Sequence, residues 1–255
     1  APTPDGVFET LRLQPDGSIW ALARHWARLQ RGLSALELEC PADLTPETLI
    51  STAHRLATAN RHLGTGRLRL AVARAEPRRG WLPTTRTAHW HLTLDSLEYD
   101  ATPRTLPLLT SPASLPYRYK RIADPRYSDI GQRVAAAGWN DALLLDPQTR
   151  GVIETLHGAV VYVLKPEAHT GLVRACPSVG LPSVALEVLL TTGTVEPLDT
   201  PPPPEAIEEL HTLNAVRGAV PVSTAFDLEN PSRVFEYPFD TQRSAHLNQC
   251  LDIPQ

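Results

Sequence analysis

The sequence predicts an α+β chain in two domains, and three observations carry the prediction. Blocks of period-two and period-3.6 hydrophobicity alternate through the first hundred residues without any internal repeat. Four prolines, Pro103, Pro107, Pro112 and Pro116, then interrupt the pattern and read as an interdomain crossing. Beyond them, short apolar runs bounded by turn residues dominate, which marks a β-rich second half. With 255 residues, 42% of them hydrophobic, the chain is long enough for sizeable buried cores. The expected division is a small α+β domain over 1–110 and a larger β-rich domain over 117–255.

Taken in order, Val7 to Leu13 alternate as a strand, and Pro15-Asp16-Gly17 turns the chain into a second short strand. Leu22, Trp26, Leu29, Leu33 and Leu36 then recur at helical spacing with Arg24, Arg28 and Arg31 between them. This predicts a helix ending near Cys40-Pro41. A second helix starts at Thr45-Pro46-Glu47, where proline suits the first turn, and runs to about His62. Gly64-Thr65-Gly66 breaks it, and strands follow over 67–74 and 87–94. After the prolines, a helix is expected from Pro125 to Ala137, then strands over 141–146 and 151–155 joined by a turn. Further strands are expected over 160–164 and 171–175. Pro182 opens a helix over 183–192, Pro201 to Pro204 form a rigid linker before another short helix, and 213–226 read as strand and turn.

Composition removes several function classes. A net charge of −4 and a pI near 6.1 leave no footprint for nucleic acid. No apolar run reaches the eighteen or so residues that span a bilayer, and the first residues show no basic-then-apolar leader. Cys40, Cys176 and Cys250 are scattered and form no CxxC pair, so a reducing, cytoplasmic setting is expected. His89 and His91 share one face of a strand, but no third ligand follows at metal-site spacing. Gly64-Thr65-Gly66 follows a helix and leads into a strand, the reverse of a phosphate loop. No Gly-x-Ser-x-Gly elbow is present.

The basic residues are more informative. Of 24, only Lys120 and Lys165 are lysine. Arginine serves for surface charge, but it cannot lose a proton near neutral pH and attack a carbonyl. Lys165 sits in a turn-like Lys-Pro-Glu stretch and reads as surface. Lys120 precedes a helix, and Glu154 lies on the second strand of the hairpin after it, so an amine and a carboxylate can converge. A pyridoxal phosphate site uses such a pair: the lysine for the aldehyde, the acid to keep the pyridine nitrogen protonated. The phosphate then needs an arginine and free N–H groups at a helix start, for which Arg28 and the helix opening at Pro182 are candidates. On these residues alone the assignment is one among several.

The order of motifs resembles the class IV, fold-type IV pyridoxal-phosphate family, which holds branched-chain and D-amino-acid aminotransferases and aminodeoxychorismate lyase. Carrying the resemblance are Gly6-Val-Phe-Glu-Thr-Leu-Arg12, His25-Trp-Ala-Arg28-Leu29, Lys120, Ala137-Gly-Trp-Asn-Asp-Ala-Leu-Leu-Leu-Asp146, Gly151-Val-Ile-Glu154-Thr155 and Leu213-Asn-Ala-Val-Arg-Gly-Ala-Val-Pro-Val222. It implies a two-domain fold like that of D-amino-acid aminotransferase, with pyridoxal 5'-phosphate as cofactor. It makes Lys120 the cofactor-carrying and catalytic lysine, Glu154 the partner of the pyridine nitrogen, and Arg28 a phosphate ligand. The backbone of Val184 and Ala185, with Asn214 and Ala215 in the 213–216 segment, would add phosphate contacts. The chain departs from the family where Ser-Asn-x-Phe is replaced by Gly158-Ala-Val-Val161. It departs again where Leu-Pro-Gly-Ile-Thr-Arg becomes Leu181-Pro-Ser-Val-Ala-Leu186. The function implied is a lyase resembling aminodeoxychorismate lyase, releasing pyruvate and 4-aminobenzoate, a folate precursor. An aminotransferase of the same fold is the alternative, with Arg67, Arg69 and Arg217 as candidates to grip a substrate carboxylate. A relative that has lost the cofactor is a third reading. Expected partners are a small-molecule amine substrate and a second copy of the chain, with neither nucleic acid nor membrane.

Overall fold

The computed structural model describes residues 5–75, 85–112, 119–122, 124–167 and 170–253. By its contacts the chain divides into two compact units, residues 1–98 with 118–124, and residues 99–117 with 125–255. The sequence places the division near 110–117, with Lys120 in the larger domain. Residues 118–124 instead group with the first unit, because Lys120 and Ile122 hydrogen-bond along its first strand.

The first unit holds a three-stranded antiparallel sheet of β1 (Gly6–Leu13), β2 (Gly66–Arg74) and β3 (Ala88–Ser96), in that order. Two helices, α1 (Leu22–Ala35) and α2 (Pro46–Ala59), complete it. Val7, Leu11, Leu13, Leu68, Leu70 and Val72 alternate onto one sheet face and pack with Leu29, Leu33 and Leu49 of the helices. Thr45 caps α2 by accepting from the Thr48 N–H at 3.2 Å, and Pro46 follows it as the sequence expects. α1 stops at Ala35, five residues before the expected end, since Leu36 closes the last turn and Glu37 takes a left-handed backbone. The second short strand expected after Gly17 reduces to one bridge between Leu13 and Ile19.

The second unit is a nine-stranded mixed sheet. Its strands are β4 (Arg104–Thr110), β5 (Leu143–Leu145), β6 (Val152–Thr155), β7 (Ala159–Leu164), β8 (Val173–Ala175), β9 (Glu196–Pro197), β10 (Ile207–Asn214), β11 (Gly218–Asp227) and β12 (Val234–Glu236). They pair in the order β6-β5-β4-β11-β10-β7-β8-β9, with β12 on β11. The helices are α3 (Pro125–Ala136), α4 (Val184–Thr191) and α5 (Thr241–Cys250). β4 corrects the expected crossing: residues 104–110 form an inner strand, parallel to β11 and β5. Pro107 precedes Leu108, where β5 first joins, so it sits where the ladder is still one-sided. Pro116 lies outside the described residues. The short helix expected after Pro204 is one 3-10 turn, Pro204–Ala206, and the chain continues as β10. β10 is buried on both faces at its centre, which erases the alternation that would distinguish strand from helix. α5 has no counterpart in the sequence reading. Asp240 caps it, accepting from the Gln242 N–H at 2.8 Å.

α5 locks the turn between β10 and β11. The Asn248 side chain accepts from the Ala219 N–H at 2.7 Å and donates to the Ala219 carbonyl at 3.0 Å, standing in for a strand neighbour. Gly218, at φ +71°, has Asn248 Oδ1 only 2.2 Å from where a Cβ would stand. Gly218→Ala therefore combines left-handed strain with a collision against a fixed amide. It is expected to destabilise the protein by about 2–4 kcal/mol, read as a lower urea midpoint with unchanged slope.

Candidate active site

In the first unit, Lys120 is placed by backbone pairing. The Phe8 N–H donates to the Lys120 carbonyl at 2.9 Å and the Ile122 N–H to the Gly6 carbonyl at 2.8 Å, so residues 120–122 run along the free edge of β1. Arg121 reaches Asp5 at 3.2 Å, and Asp5 also pairs with Arg74 at 3.3 Å, which ties the segment to the end of β2. Lys120 is half-buried, its Nζ 4.7 Å from the centre of the Phe8 ring. The Arg69 guanidinium stacks on the same ring at 4.0 Å. One aromatic side chain thus carries both an amine and a guanidinium.

The opposite face of β1 presents Glu9 to α1. Glu9 accepts from Arg28 Nε at 2.8 Å and from Nη2 at 2.6 Å, and it meets His25 Nδ1 at 2.8 Å. All three side chains are buried. Burial raises the Glu9 carboxyl, but Arg28 and His25 outweigh it and hold the group down at about 2. Burial lowers His25, against the pull of Glu9 and with help from the charges of Arg28 and Lys120. The imidazole is therefore neutral at pH 7. Because a carboxylate only accepts, the proton is on Nδ1. Arg28, implied by resemblance to bind the phosphate, is 5% exposed and presents its Nε edge to Glu9.

In the second unit, Glu154 lies opposite Leu144 on the β5–β6 hairpin. The register shifts there so that Ile153 is the extra residue of a bulge. Ile153 packs with Ile130 and Val134 of α3, and Glu154 is aimed toward the same helix, where the Tyr127 hydroxyl donates to its Oε1. Its Oε2 accepts from the Leu181 N–H at 2.9 Å. Gly180, at φ +71°, makes that approach possible: a Cβ there would stand 2.8 Å from Oε2.

Three residues beyond Leu181, α4 begins. Ser183 caps it, accepting from the Leu186 N–H at 3.3 Å. Among the described residues, no acceptor meets the N–H groups of Val184 or Ala185, although these residues are 3% and 0% exposed. Two shielded donors at a helix start are costly without an anion. The lost glycine and hydroxyl of the family loop leave them in place. The Asn214 side chain accepts from Val216 N at 3.0 Å and Arg217 N at 2.8 Å, so Asn214 shapes its turn, with Ala215 at the tip. Gly158 backs directly onto Leu213, where a Cβ would stand 2.5 Å from the carbonyl oxygen. The structure thus gathers Glu154, Val184 and Ala185 in one unit, and Lys120 and Arg28 in the other.

Unit by unit, these residues fit pyridoxal phosphate: an amine in the first, and in the second a carboxylate reached by Tyr127 and the Leu181 N–H, with buried N–H groups that meet no acceptor among the described residues. Tyr127 and Gly180 are additions to the residues singled out from sequence, and Phe8 and Glu9, quoted there only as part of the Gly6–Arg12 motif, acquire partners here. His89 and His91 are exposed on β3, and among the described residues no cluster of three or more ligand side chains is arranged to hold a metal. Among them, too, no helix is long and apolar enough to cross a membrane.

Comparison with known proteins follows the same line. The family model for amino-transferase class IV matches residues 6–225. A search of curated proteins finds no match. Among solved structures, the chain is similar to 4-amino-4-deoxychorismate lyase from Pseudomonas aeruginosa, at 22% identity and TM-score 0.69, covering 97% of this chain and 90% of that one. It is similar to a fold IV transaminase from Curtobacterium pusillum, at 20% identity and TM-score 0.73, covering 97% and 83%. It is similar also to the pyridoxal-phosphate form of a branched-chain amino acid aminotransferase from Thermobaculum terrenum, at 17% identity and TM-score 0.72, covering 98% and 86%. The match spans most of the chain and includes both units, so the protein belongs to the class IV aminotransferases, a family of pyridoxal-phosphate-dependent enzymes.

Proposed function

We propose that the protein is a lyase of the aminodeoxychorismate type, converting 4-amino-4-deoxychorismate to 4-aminobenzoate and pyruvate for folate synthesis, as a cytoplasmic homodimer. The observation that carries an anionic amine substrate is the shared Phe8 ring, with the Lys120 amine 4.7 Å and the Arg69 guanidinium 4.0 Å from its centre. Of the three arginines considered for a substrate carboxylate, Arg67 is engaged by Asp95 at 3.0 Å. Arg217 stands in a turn where Arg104 shares its field. Arg69 makes no ion pair among the described residues, so its outer edge is available to a carboxylate. The choice of lyase rests on Asn214-Ala-Val-Arg-Gly218 and on the similarity to the Pseudomonas enzyme.

When bound, pyridoxal phosphate supplies an aldehyde for amines and a ring that accepts the electron pair released at the reacting carbon. Lys120 would hold the cofactor through its amine and, once the substrate amine has taken its place, would move a proton as pyruvate leaves. Glu154 would keep the ring nitrogen protonated. Val184, Ala185 and the Asn214–Ala215 turn would hold the phosphate in the second unit, and Arg28 is the candidate that the first unit offers for it.

Incubation with aminodeoxychorismate and no keto acid is the deciding assay. Pyruvate released in step with 4-aminobenzoate supports the lyase. Turnover only when a keto acid is added assigns an aminotransferase instead. Arg69→Leu is expected to raise KM roughly ten- to a hundredfold, with cofactor uptake unchanged, whereas Arg67→Leu leaves KM within about twofold.

A further inference from the structure

We propose that Tyr127 is a positioning residue for the cofactor's ring nitrogen, acting through Glu154. This rests on the reading above that Glu154 holds that nitrogen. The hydroxyl, carried on α3, donates to Glu154 Oε1, while Leu181 N–H donates to Oε2 at 2.9 Å from the other side. A carboxylate on a flexible side chain is thereby pinned at both oxygens and can rotate away from neither donor. Gly180 closes the third side, since any Cβ there would push the carboxylate out of place. The bulge at Ile153 is the backbone device that turns Glu154 toward α3. Without the phenol, Oε1 loses the hydroxyl that α3 brings to it, while the Leu181 N–H still holds Oε2.

The test compares pyridoxal phosphate with its 1-deaza analogue, in which carbon replaces the ring nitrogen. The quantity is the ratio of their Kd values, measured by equilibrium dialysis on the full-length chain. Wild type is expected to favour pyridoxal phosphate by tenfold or more, and Tyr127→Phe to shrink that preference by roughly tenfold. Glu154→Gln sets the floor, and Tyr127→Phe added to Glu154→Gln should change nothing further. A purely structural loss weakens both compounds alike and leaves the ratio untouched, which overturns the proposal. A Tyr127→Phe ratio equal to wild type overturns it too. If wild type itself binds both compounds equally, Glu154 makes no contact with the nitrogen, and the reading beneath the proposal falls with it. Far-ultraviolet circular dichroism and the urea midpoint confirm that the variant folds. The pH titration of the bound cofactor's visible band supplies a second readout, expected to move in Tyr127→Phe and to stay still if the phenol only packs.

Discussion

Lys120→Ala is expected to lower turnover by roughly 10³-fold or more and to abolish covalent capture of the cofactor, while the protein stays folded. The fold survives because Lys120 joins β1 through its main chain: the Phe8 N–H donates to a carbonyl that alanine also has. The amine, its contact with Phe8 and its charge near His25 are lost, and the main-chain pairing stays. Borohydride reduction after incubation with pyridoxal phosphate, followed by peptide mass spectrometry, locates the modified lysine. With two lysines in 255 residues the outcome is sharp: label on Lys120 in wild type, and none there in the variant. Lys120→Arg sharpens it further. Arginine keeps a cation over Phe8 but offers no amine that can attack an aldehyde, so it should be as inactive as alanine. Substantial activity in Lys120→Arg would mean that charge, not nucleophilicity, is what the position supplies. Label confined to Lys165 would overturn the assignment outright.

The two ends of the chain differ in how far their structure could be read from sequence. In the first unit, Val7, Leu11, Leu68, Leu70 and Val72 alternate cleanly because one sheet face is covered by helices and the other is not. Period two then identifies the strands directly. In the second unit, Ala142 to Leu145 are buried on both faces, packing alternately toward α3 and toward the opposite core. Strands there are legible as apolar runs, but β10 was open to a helical reading for the same reason. β4 was hidden by prolines, whose usual meaning is overridden because Pro107 stands where this inner strand is still paired on one side only. The site divides similarly. Lys120, Glu154 and Arg28 stand out because their chemistry is rare in their context. Tyr127 gave no such signal, since a half-buried tyrosine on an amphipathic helix is ordinary and its partner lies 27 positions away. Glu9 did carry one: a carboxylate between Val7 and Leu11 on an apolar strand face demands a buried cation.

That demand fixes the second large effect. Glu9→Gln keeps the side chain's size but leaves the Arg28 guanidinium buried with no countercharge on its Nε edge. Breaking one side of such a pair costs about 3–5 kcal/mol. Chemical denaturation should show the loss as a lower midpoint. Replacing both partners, as Glu9→Gln with Arg28→Leu, should return much of it, because the stranded charge is gone. The pH dependence has a definite sign. Glu9 falls from 4.5 to about 2 on folding, so its contribution is complete above pH 4.5 and is lost as pH drops through about 2. The amount is on the order of 3 kcal/mol. His25 is also lowered on folding, so its part is complete above its ordinary 6.5 and is likewise lost on acidification. Wild type should therefore weaken from mildly acidic pH downward, and Glu9→Gln should lose the portion of that slope between pH 4.5 and 2. The double variant separates stability from function. If it regains the midpoint but takes up pyridoxal phosphate poorly, Arg28 serves the phosphate while Glu9 serves Arg28. If it regains both, the pair is structural, and the phosphate is held by the α4 amides and the Asn214–Ala215 turn alone.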